Sequence, residues 1–238
     1  MASAKSNMSS ILLLLLVLLA AGCEGGRLVQ VPVDGETLAG IYWRPPKPLS
    51  AALLLVPGAG SHKEDWIPLA ERLRQSGYAV LALDPRGQGA DEEILAADIA
   101  AAFAFLRDQK RVDAARLAMI GAGLGADGAL RFSATEPSIR ALVLLSPLAS
   151  EAPEPVEAAM AYYGWRPVLL AGGRKAPYGL RVERLARRAH ETAVVQLYDS
   201  EAEGVRLLRT SRALERAILE FLELHLRPPV LDTRGGGD

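Results

Sequence analysis

Short apolar runs alternate with amphipathic segments along most of the chain, and together they predict a regular architecture. Residues 52–56 form a continuous apolar run, as expected for a strand buried on both faces. Residues 66–75 instead place apolar side chains at helical spacing, and Gly77 ends the pattern. By these criteria we predict strands over 52–56, 78–83, 116–120, 141–145, 167–171 and 192–198, and helices over 66–75, 92–107, 126–134, 156–163, 179–189 and 211–226.

The order of these elements predicts a sheet covered by helices on both faces. Residues 28–33 and 38–43 flank the turn signal Asp34-Gly35-Glu36 and predict a hairpin ahead of the first buried strand. Buried strands that alternate with helices are typical of a mostly parallel, doubly wound α/β sheet. Ligands of such folds bind beyond the carboxyl ends of the strands, where the glycine-rich loops of this sequence fall.

Composition narrows the classes of protein that this chain can belong to. Half of the 238 residues are hydrophobic and 23% are charged, which supports a sizeable core and excludes global disorder. We expect one domain over residues 28–226 without a clear lid, followed by a flexible tail over 227–238 that is rich in Pro and Gly. The formal net charge of −1 gives no basic excess for nucleic acid. With one cysteine and three widely spaced histidines, we expect no intrachain disulfide, no metal and no cofactor.

The N-terminal segment has the pattern of an export signal. Lys5 is the only charge before Glu24, and an apolar run over residues 11–21 is too short for a typical membrane-spanning helix, which needs about 20 residues. We therefore predict a signal peptide over residues 1–22. The alternatives are an ordinary signal peptide with a chance cysteine, or an uncleaved anchor.

The sole cysteine, Cys23, directly follows Leu19-Ala-Ala-Gly22, which resembles the bacterial lipobox. Ala20 stands where that motif usually has Leu. The resemblance implies cleavage before Cys23, lipidation of Cys23, a short tether over residues 23–27, and a membrane-anchored place in the bacterial cell envelope. Glu24 is not the Asp that is associated with inner-membrane retention, which favours the outer membrane where two membranes exist.

Three glycine-rich segments occur in the order typical of one large family. They read LLLVPGAGSHKEDW from Leu53, AVLALDPRGQG from Ala79 and RLAMIGAGLGADGA from Arg116. Together they resemble the α/β-hydrolase family, especially its bacterial esterase, lipase and dienelactone-hydrolase-like members. The resemblance covers about residues 28–226. It implies an oxyanion loop in the first segment, a turn held by Asp84 and a locally paired Arg86 in the second, and a nucleophile elbow in the third.

The catalytic residues that this resemblance implies are replaced. The elbow pattern G-x-S-x-G falls on Gly121, Ala122, Gly123, Leu124 and Gly125, so the serine position is Gly123. The acid position falls on Ala176, or on Lys175, in the segment after the strand 167–171. The histidine position, before a glycine after the last strand, falls on Glu203. We therefore predict that the family's serine–acid–histidine mechanism is lost.

Three functions remain open on this sequence. The oxyanion donors that the resemblance implies are backbone N–H groups, here of Ala59 and Leu124, which survive any side-chain change. The first hypothesis is a pocket that binds a small acyl or carboxylate ligand without turnover. The second is an ester hydrolase in which Glu203 is the general base for water, and the third is a scaffold for an envelope protein of unknown identity. We expect Ser61, His62 and Ser146 to be structural loop and turn residues.

Overall fold

Eight strands form one sheet in the computed structural model, which describes residues 25–148 and 153–228. The sheet order is β1-β2-β4-β3-β5-β6-β7-β8; β1 and β2 pair antiparallel, β2 pairs antiparallel with β4, and the other pairs are parallel. The strands are β1 (Arg27–Val33), β2 (Glu36–Trp43), β3 (Ser50–Val56), β4 (Ala79–Leu83), β5 (Val112–Ala122), β6 (Ile139–Leu145), β7 (Val168–Gly173) and β8 (Ala193–Tyr198). The predicted mostly parallel, doubly wound architecture is confirmed.

Helices cover both faces of this sheet. The helices are α1 (Ile67–Gln75), α2 (Glu92–Arg107), α3 (Leu124–Thr135), α4 (Pro153–Tyr163), α5 (Gly179–Ala186), α6 (Val205–Thr210) and α7 (Arg212–His225). Ile99 of α2, Leu130 of α3 and Met160 of α4 pack into one fully buried core layer. Leu73 of α1 and Ile218 of α7 pack into the layer on the opposite face. Since both faces are covered, the central strands are almost entirely apolar.

Local sequence signals explain where several elements begin and end. Asp34 and Gly35 have φ values of 49° and 80°, so the Asp-Gly pair forms the tight turn that matches the twist of the β1–β2 hairpin. The carboxylate of Asp91 accepts hydrogen bonds from the N–H groups of Glu93 and Ile94, which caps α2 at its first turn. The helix therefore spans residues 92–107, as predicted.

Other predicted bounds differ from the structure. The helix predicted over 66–75 begins one residue later, as α1. A short 3-10 turn, Lys63–Trp66, directly precedes it. The helix predicted over 179–189 ends at Ala186, because the chain turns there toward β8. No element was predicted where α6 lies, directly after the loop that carries Glu203. No lid is evident among the described residues.

The terminal predictions concern residues that the structure does not describe. The signal peptide over 1–22, the lipidation site Cys23 and nearly all of the tail lie outside the described residues. Among the helices that are described, none has the length and apolarity needed to cross a membrane.

Candidate functional site

The candidate site lies at the carboxyl edge of the parallel strands. The register aligns Val56 of β3 with Gly121 of β5, and Ala122 of β5 with Leu145 of β6. Consequently the loops that follow these strands meet above one edge of the sheet. Loop residues that follow β3, β5 and β6, together with the loop after β8, line a cavity of about 440 Å³. This is within the range of roughly 300–1,000 Å³ that small-molecule sites occupy.

Gly123 forms the tip of the turn between β5 and α3. Its φ of 54° and ψ of −124° are outside the regions that residues with a side chain prefer. The N–H of Gly123 donates to the carbonyl of Leu145 at 2.9 Å, and its carbonyl accepts from the N–H of Ala126 at 3.0 Å. The sharp strand-to-helix turn of a nucleophile elbow is therefore present, and it carries no side chain at its tip.

The glycines on either side of the tip permit close packing of the backbone. A Cβ added to Gly121 would lie 2.6 Å from Cα of Ala126, and one added to Gly125 would lie 2.5 Å from the carbonyl oxygen of Val56. Gly123 differs, because the nearest atom to an added Cβ is Cα of Gly58, at 3.6 Å. Space for a side chain therefore exists at the elbow tip, and only the backbone conformation opposes one.

Two residues at the cavity are candidates to supply backbone hydrogen-bond donors. Leu124 is the first residue of α3, so its N–H has no acceptor within the helix. Ala59 lies in the loop after β3, next to Gly58, whose added Cβ would lie 2.7 Å from the carbonyl oxygen of Ala122. Both Ala59 and Leu124 line the cavity. A helix N-terminus together with a loop amide is suited to bind a carbonyl oxygen or a carboxylate.

The predicted acid position does not reach the cavity. Ala176 is buried in the turn after β7, where its N–H donates to the carbonyl of Gly173 at 3.2 Å. Lys175, the other residue considered for this position, is exposed, and its Nζ pairs with Asp199 at 2.9 Å. Tyr178, two residues beyond Ala176, lines the cavity instead. Neither candidate position supplies a carboxylate.

Glu203 lines the cavity from the loop between β8 and α6. Its side chain is half-buried, and Oε1 accepts a hydrogen bond of 3.3 Å from the N–H of Tyr178. The next residue, Gly204, has a φ of 53°, and a Cβ added there would lie 3.4 Å from Cβ of Ala122. The loop that carries Glu203 therefore packs directly against the elbow.

Ser146 is a feature of the site that the sequence analysis placed only in a turn. It is buried, follows β6 and has a φ of 48°, which is uncommon for a residue with a side chain. Its Oγ accepts a hydrogen bond of 2.9 Å from the N–H of Gly204. The sequence indicates only that Ser146 follows a buried strand. Its contact with Gly204 joins segments that are far apart in sequence, so local patterns do not predict it.

Charged side chains at the cavity rim come partly from α6, the helix that was not predicted. Arg206 and Arg209 of α6 line the cavity, as does Asp65 from the 3-10 turn Lys63–Trp66. Asp65 pairs with Arg209 at 2.5 Å and accepts a hydrogen bond of 3.0 Å from the N–H of His62. The rim therefore contains one internal ion pair, together with the charges of Arg206 and Glu203.

The polar residues of the first two motifs support the loops. Asp84 accepts hydrogen bonds from the N–H and Nζ of Lys63, at 2.6 and 2.5 Å. Burial lowers the pKa of Lys63, but the hydrogen bonds to Asp84 and Glu64 outweigh this effect and raise it. His62 is exposed, with Nδ1 3.9 Å from Asp84, and Ser61 lines the cavity.

Arg86 does not pair locally, contrary to the sequence prediction. Its backbone N–H and its Nε each donate a 2.7 Å hydrogen bond to the fully buried carboxylate of Asp98 on α2. Its guanidinium also reaches Asp34 and Glu36 of the hairpin, at 3.0 and 3.2 Å. Arg86 reaches these partners because the turn after β4 lies between α2 and the β1–β2 hairpin.

A metal centre finds no support among the described residues. No group of three or more His, Cys, Asp or Glu side chains in this part of the chain is arranged to hold a metal ion.

The fold and the strand-to-helix elbow define a member of the α/β-hydrolase superfamily. The family model described as "Serine aminopeptidase, S33" matches residues 47–203, and the chain belongs to this family. The matched region includes the elbow at Gly123 and ends at Glu203. The matched region thus contains most of the residues that line the cavity, whereas Gly204, Val205, Arg206 and Arg209 lie beyond it.

Curated relatives share only part of their length with this chain. An uncharacterized protein of Mycobacterium tuberculosis is 37% identical over 150 residues, which are 60% of this chain and 52% of that protein. A cutinase of Thermobifida alba is 26% identical over 127 residues, 51% of this chain and 43% of that protein. The chain therefore spans about half the length of the curated relatives it matches.

Solved structures resemble the chain over most of its length. A dienelactone hydrolase from Anabaena variabilis superposes with a TM-score of 0.68 at 21% identity, covering 85% of this chain and 98% of that one. An esterase of Pyrococcus furiosus gives a TM-score of 0.70 at 20% identity, covering 85% and 93%. At such low identity these similarities establish the fold.

Proposed function

We propose that this protein binds a small acyl or carboxylate ligand in the cavity at the elbow and does not turn it over by a serine-based mechanism. The observation that carries the proposal is Gly123, which keeps the elbow backbone and supplies no nucleophile. Covalent acyl transfer needs a side-chain nucleophile at this tip and a base beside it. Ala176 and Glu203, at the expected acid and histidine positions, do not replace that pair.

The binding part of the proposal is supported by the backbone donors of Ala59 and Leu124. Both residues line the cavity, and a backbone N–H is retained whatever side chain the residue carries. Arg206 adds positive charge at the rim, which favours a carboxylate, whereas Glu203 disfavours one; Arg209 is already paired with Asp65. A neutral acyl carbonyl avoids that repulsion, so we expect amides and esters to bind at least as well as free acids.

A second candidate function is hydrolysis of esters without a covalent intermediate. Glu203 lies in the same cavity as Ala59 and Leu124, and its carboxylate is held by the N–H of Tyr178. In this mechanism Glu203 takes a proton from water, the hydroxide attacks the ester carbonyl, and the two N–H groups stabilise the resulting oxyanion. Esterases and cutinases among the similar proteins make esters the substrates to try first.

The experiment that separates these functions is an ester assay combined with a binding titration. The protein from Glu24 onward is assayed with a short p-nitrophenyl ester, beside Glu203→Gln and the matched control Glu201→Gln, which changes an exposed carboxylate two residues away. A third variant combines Gly123→Ser, Ala176→Asp and Glu203→His. Butanamide and butanoate are titrated against the unmodified protein.

Each outcome selects one function. Binding without turnover, with any turnover gained by the triple variant, supports a ligand-binding protein that has lost its nucleophile. Turnover that Glu203→Gln abolishes and Glu201→Gln retains supports the water-based hydrolase and overturns the first proposal. If neither compound binds and no ester is turned over, the ligand-binding proposal fails and a scaffold role is the remaining candidate.

We further propose that the protein is exported and anchored through lipid on Cys23. The support is the lipobox-like segment that ends at the sole cysteine of the chain. More than one acyl chain on this residue would give stable attachment, because a single chain binds membranes only marginally. Labelling with a fatty-acid analogue should mark the full-length protein and not Cys23→Ser; equal labelling of both would disprove the anchor.

A further inference from the structure

The lipid anchor proposed at Cys23 joins the fold at one particular edge of the sheet. β1 pairs antiparallel with β2, and β2 pairs antiparallel with β4, so β1 runs parallel to β3 and to the strands that follow. Arg27, the first residue of β1, therefore lies at the amino edge, opposite the carboxyl edge that carries the candidate site. Arg27 is four positions after Cys23, and four residues span at most about 14 Å. A bilayer that holds Cys23 consequently lies close to this edge.

The amino edge beside the start of β1 is basic. A cavity of about 360 Å³ lies there, and Tyr42, Gln109, one carboxylate and four cations line it. The carboxylate is Asp108, which is exposed and 3.5 Å from Nε of Arg107. The four cations form what we call the basic patch, namely Arg27, Arg44, Lys110 and Arg111. Because the whole chain has a formal net charge of −1, this excess of positive charge is a local feature.

The cations of the basic patch are not neutralised within the fold. Arg44 and Lys110 are exposed, and no member of the patch forms an ion pair with a carboxylate among the residues that the structure describes. The guanidinium of Arg27 lies 5.3 Å from the centroid of the Tyr42 ring, a contact that leaves its charge in place. Burial raises the pKa of the Tyr42 hydroxyl, while the charges of Arg27, Arg44 and Arg111 act in the opposite direction. Their positive fields therefore converge at this edge.

The connection between β2 and β3 adds an exposed apolar side chain to the same edge. β2 ends at Trp43 and β3 begins at Ser50, so residues 44–49 lie at the amino edge. Lys47 in this connection is exposed, and Leu49, directly before β3, is 69% exposed. Basic side chains around an exposed apolar one suit an anionic membrane surface, because the cations attract the headgroups while the apolar group enters the interface.

We infer that the basic patch docks the amino edge of the sheet on an anionic phospholipid surface, with Leu49 at the interface. The inference builds on the proposed lipid anchor at Cys23, which holds this edge within reach of the headgroups. The strands then point away from the bilayer, and the candidate site opens into the aqueous phase roughly 20 Å farther out, since β3 spans seven residues. The ligand of that site is accordingly a water-soluble compound and not a lipid taken from the membrane.

The first test is a vesicle titration of the protein from Glu24 onward, which contains every described residue of the fold and lacks the lipidation site. Vesicles of phosphatidylcholine alone are compared with vesicles of phosphatidylcholine and phosphatidylglycerol in equal parts. The variants are Arg44→Gln/Lys110→Gln and the control Arg212→Gln/Arg216→Gln. Each pair removes two exposed positive charges, but the control pair lies on α7 and does not line the patch cavity. Thermal unfolding shows whether both variants remain folded.

The unmodified protein should bind the phosphatidylglycerol vesicles at low salt and not those of phosphatidylcholine alone. Each basic side chain near an anionic surface strengthens binding about fivefold, so Arg44→Gln/Lys110→Gln should bind about 30-fold more weakly. The α7 control should stay within about threefold of the unmodified protein. Binding should disappear in about 1 M salt, where the Debye length falls to about 3 Å.

Several results of the titration would overturn the inference. Equal weakening in the two double variants would show that the basic patch has no special part in binding. Equal binding to both kinds of vesicle, or binding to neither, would show that anionic phospholipid is not recognised. Tighter binding to polyglutamate than to the vesicles would assign the basic patch to an acidic polypeptide instead.

A second test locates the edge that meets the bilayer. Cys23 is the only cysteine of the chain, so the protein from Glu24 onward can carry one environment-sensitive fluorophore, through Leu49→Cys or through Leu180→Cys. Leu180 is 78% exposed and lies in the first turn of α5, beyond the carboxyl end of β7. Vesicle binding should shift the emission of the label at position 49 to the blue and leave that at position 180 unchanged. Equal shifts at both positions, or a shift at position 180 alone, would place another face on the membrane and overturn the inference. The fatty-acid labelling of Cys23 is independent of these results, so the lipid anchor and the docking surface fail separately.

Discussion

The N–H of Gly204 donates a hydrogen bond of 2.9 Å to Oγ of Ser146, although the two residues are 58 positions apart in the chain. The bond ties the loop that carries Glu203 to the end of β6. Ser146 accepts it from a backbone conformation with a φ of 48°, in which residues with a side chain are strained. One hydrogen bond thus compensates for strain while fixing the position of the loop beside the elbow.

Ser146→Ala should therefore destabilise the protein, whereas Ser146→Gly should do so less. The alanine variant keeps the strained φ and leaves the Gly204 N–H without its acceptor, at a cost of about 1–3 kcal/mol. The glycine variant loses the same acceptor but relieves about 1–2 kcal/mol of backbone strain. Urea unfolding of the three proteins gives the two free-energy changes. Equal losses for both substitutions would contradict the strain argument.

The three glycines of the elbow should respond differently to alanine. At Gly121 and Gly125 an added Cβ meets backbone atoms at 2.6 and 2.5 Å, and backbone cannot move aside cheaply. At Gly123 the nearest atom is 3.6 Å away, so the cost comes from the φ of 54° alone. We expect about 1–3 kcal/mol for Gly123→Ala, and a larger loss for Gly121→Ala and for Gly125→Ala.

Denaturant unfolding of the three single variants checks this order, with Gly60→Ala as a control. Gly60 also has a positive φ, of 71°, and an added Cβ there meets no atom within 4 Å. Gly60→Ala should therefore resemble Gly123→Ala. A Gly123→Ala variant that loses as much stability as Gly121→Ala would mean that the elbow tip has no room for a side chain, which would weaken the case for restoring a serine.

Much of the fold follows from local sequence signals. Strands such as β3 and β4 are buried on both faces, so an unbroken apolar run marks them without reference to their neighbours. The bounds of α2 follow from the Asp91 cap and the charges of its first and last turns. By contrast, α6 is only six residues long, and packing of Val205 and Leu207 on the sheet determines it. No local pattern of that length distinguishes a helix from a loop.

The order of the motifs predicted several of the residues that meet at the cavity. Gly123, Ala59, Leu124 and Glu203 all line one cavity, as the order of the motifs indicated. Ala176 does not line it, because the turn after β7 buries that residue and presents Tyr178 instead. The contact of Ser146 with Gly204 and the rim pair of Asp65 with Arg209 depend on how distant loops cross, which residue spacing does not encode.

The buried carboxylate of Asp98 should contribute far more to stability than an exposed partner of the same arginine. Asp98 is fully buried and accepts two hydrogen bonds from Arg86. Its removal in Asp98→Ala eliminates both hydrogen bonds and leaves space at a buried position, so we expect a clear loss of stability although Arg86 keeps Asp34 and Glu36 as partners. The free energy of unfolding in urea or guanidinium chloride measures the effect.

Asp34→Ala is the matched control for that substitution. Asp34 also pairs with Arg86, at 3.0 Å, but its side chain is 64% exposed. Exposed ion pairs contribute about 0–1 kcal/mol, so Asp34→Ala should change stability little. Comparable losses of stability in the two variants would show that the hairpin partner of Arg86 contributes as much as the α2 partner. That outcome would contradict the argument from the burial of Asp98.

Stability should fall on mild acidification because of His225. Burial lowers the pKa of this imidazole below its usual value of 6.5, and the ring packs against Phe221 with the centroids 4.7 Å apart. As the pH falls below 6.5, the unfolded chain binds a proton before the folded one does. Protonation therefore favours unfolding, and the loss continues until the pH passes below the folded-state pKa.

His225→Gln removes this titration and should flatten the dependence of unfolding free energy on pH between about 7 and 5. The lowered pKa values of Glu64, Asp113 and Glu136 also make acid destabilising, but these groups act only near and below the ordinary carboxylate range. The two effects therefore separate along the pH axis. If the unfolding free energy of the variant and of the unmodified protein depends on pH with the same slope above pH 5, His225 is not the source. The protonation of His225 would then not be coupled to folding.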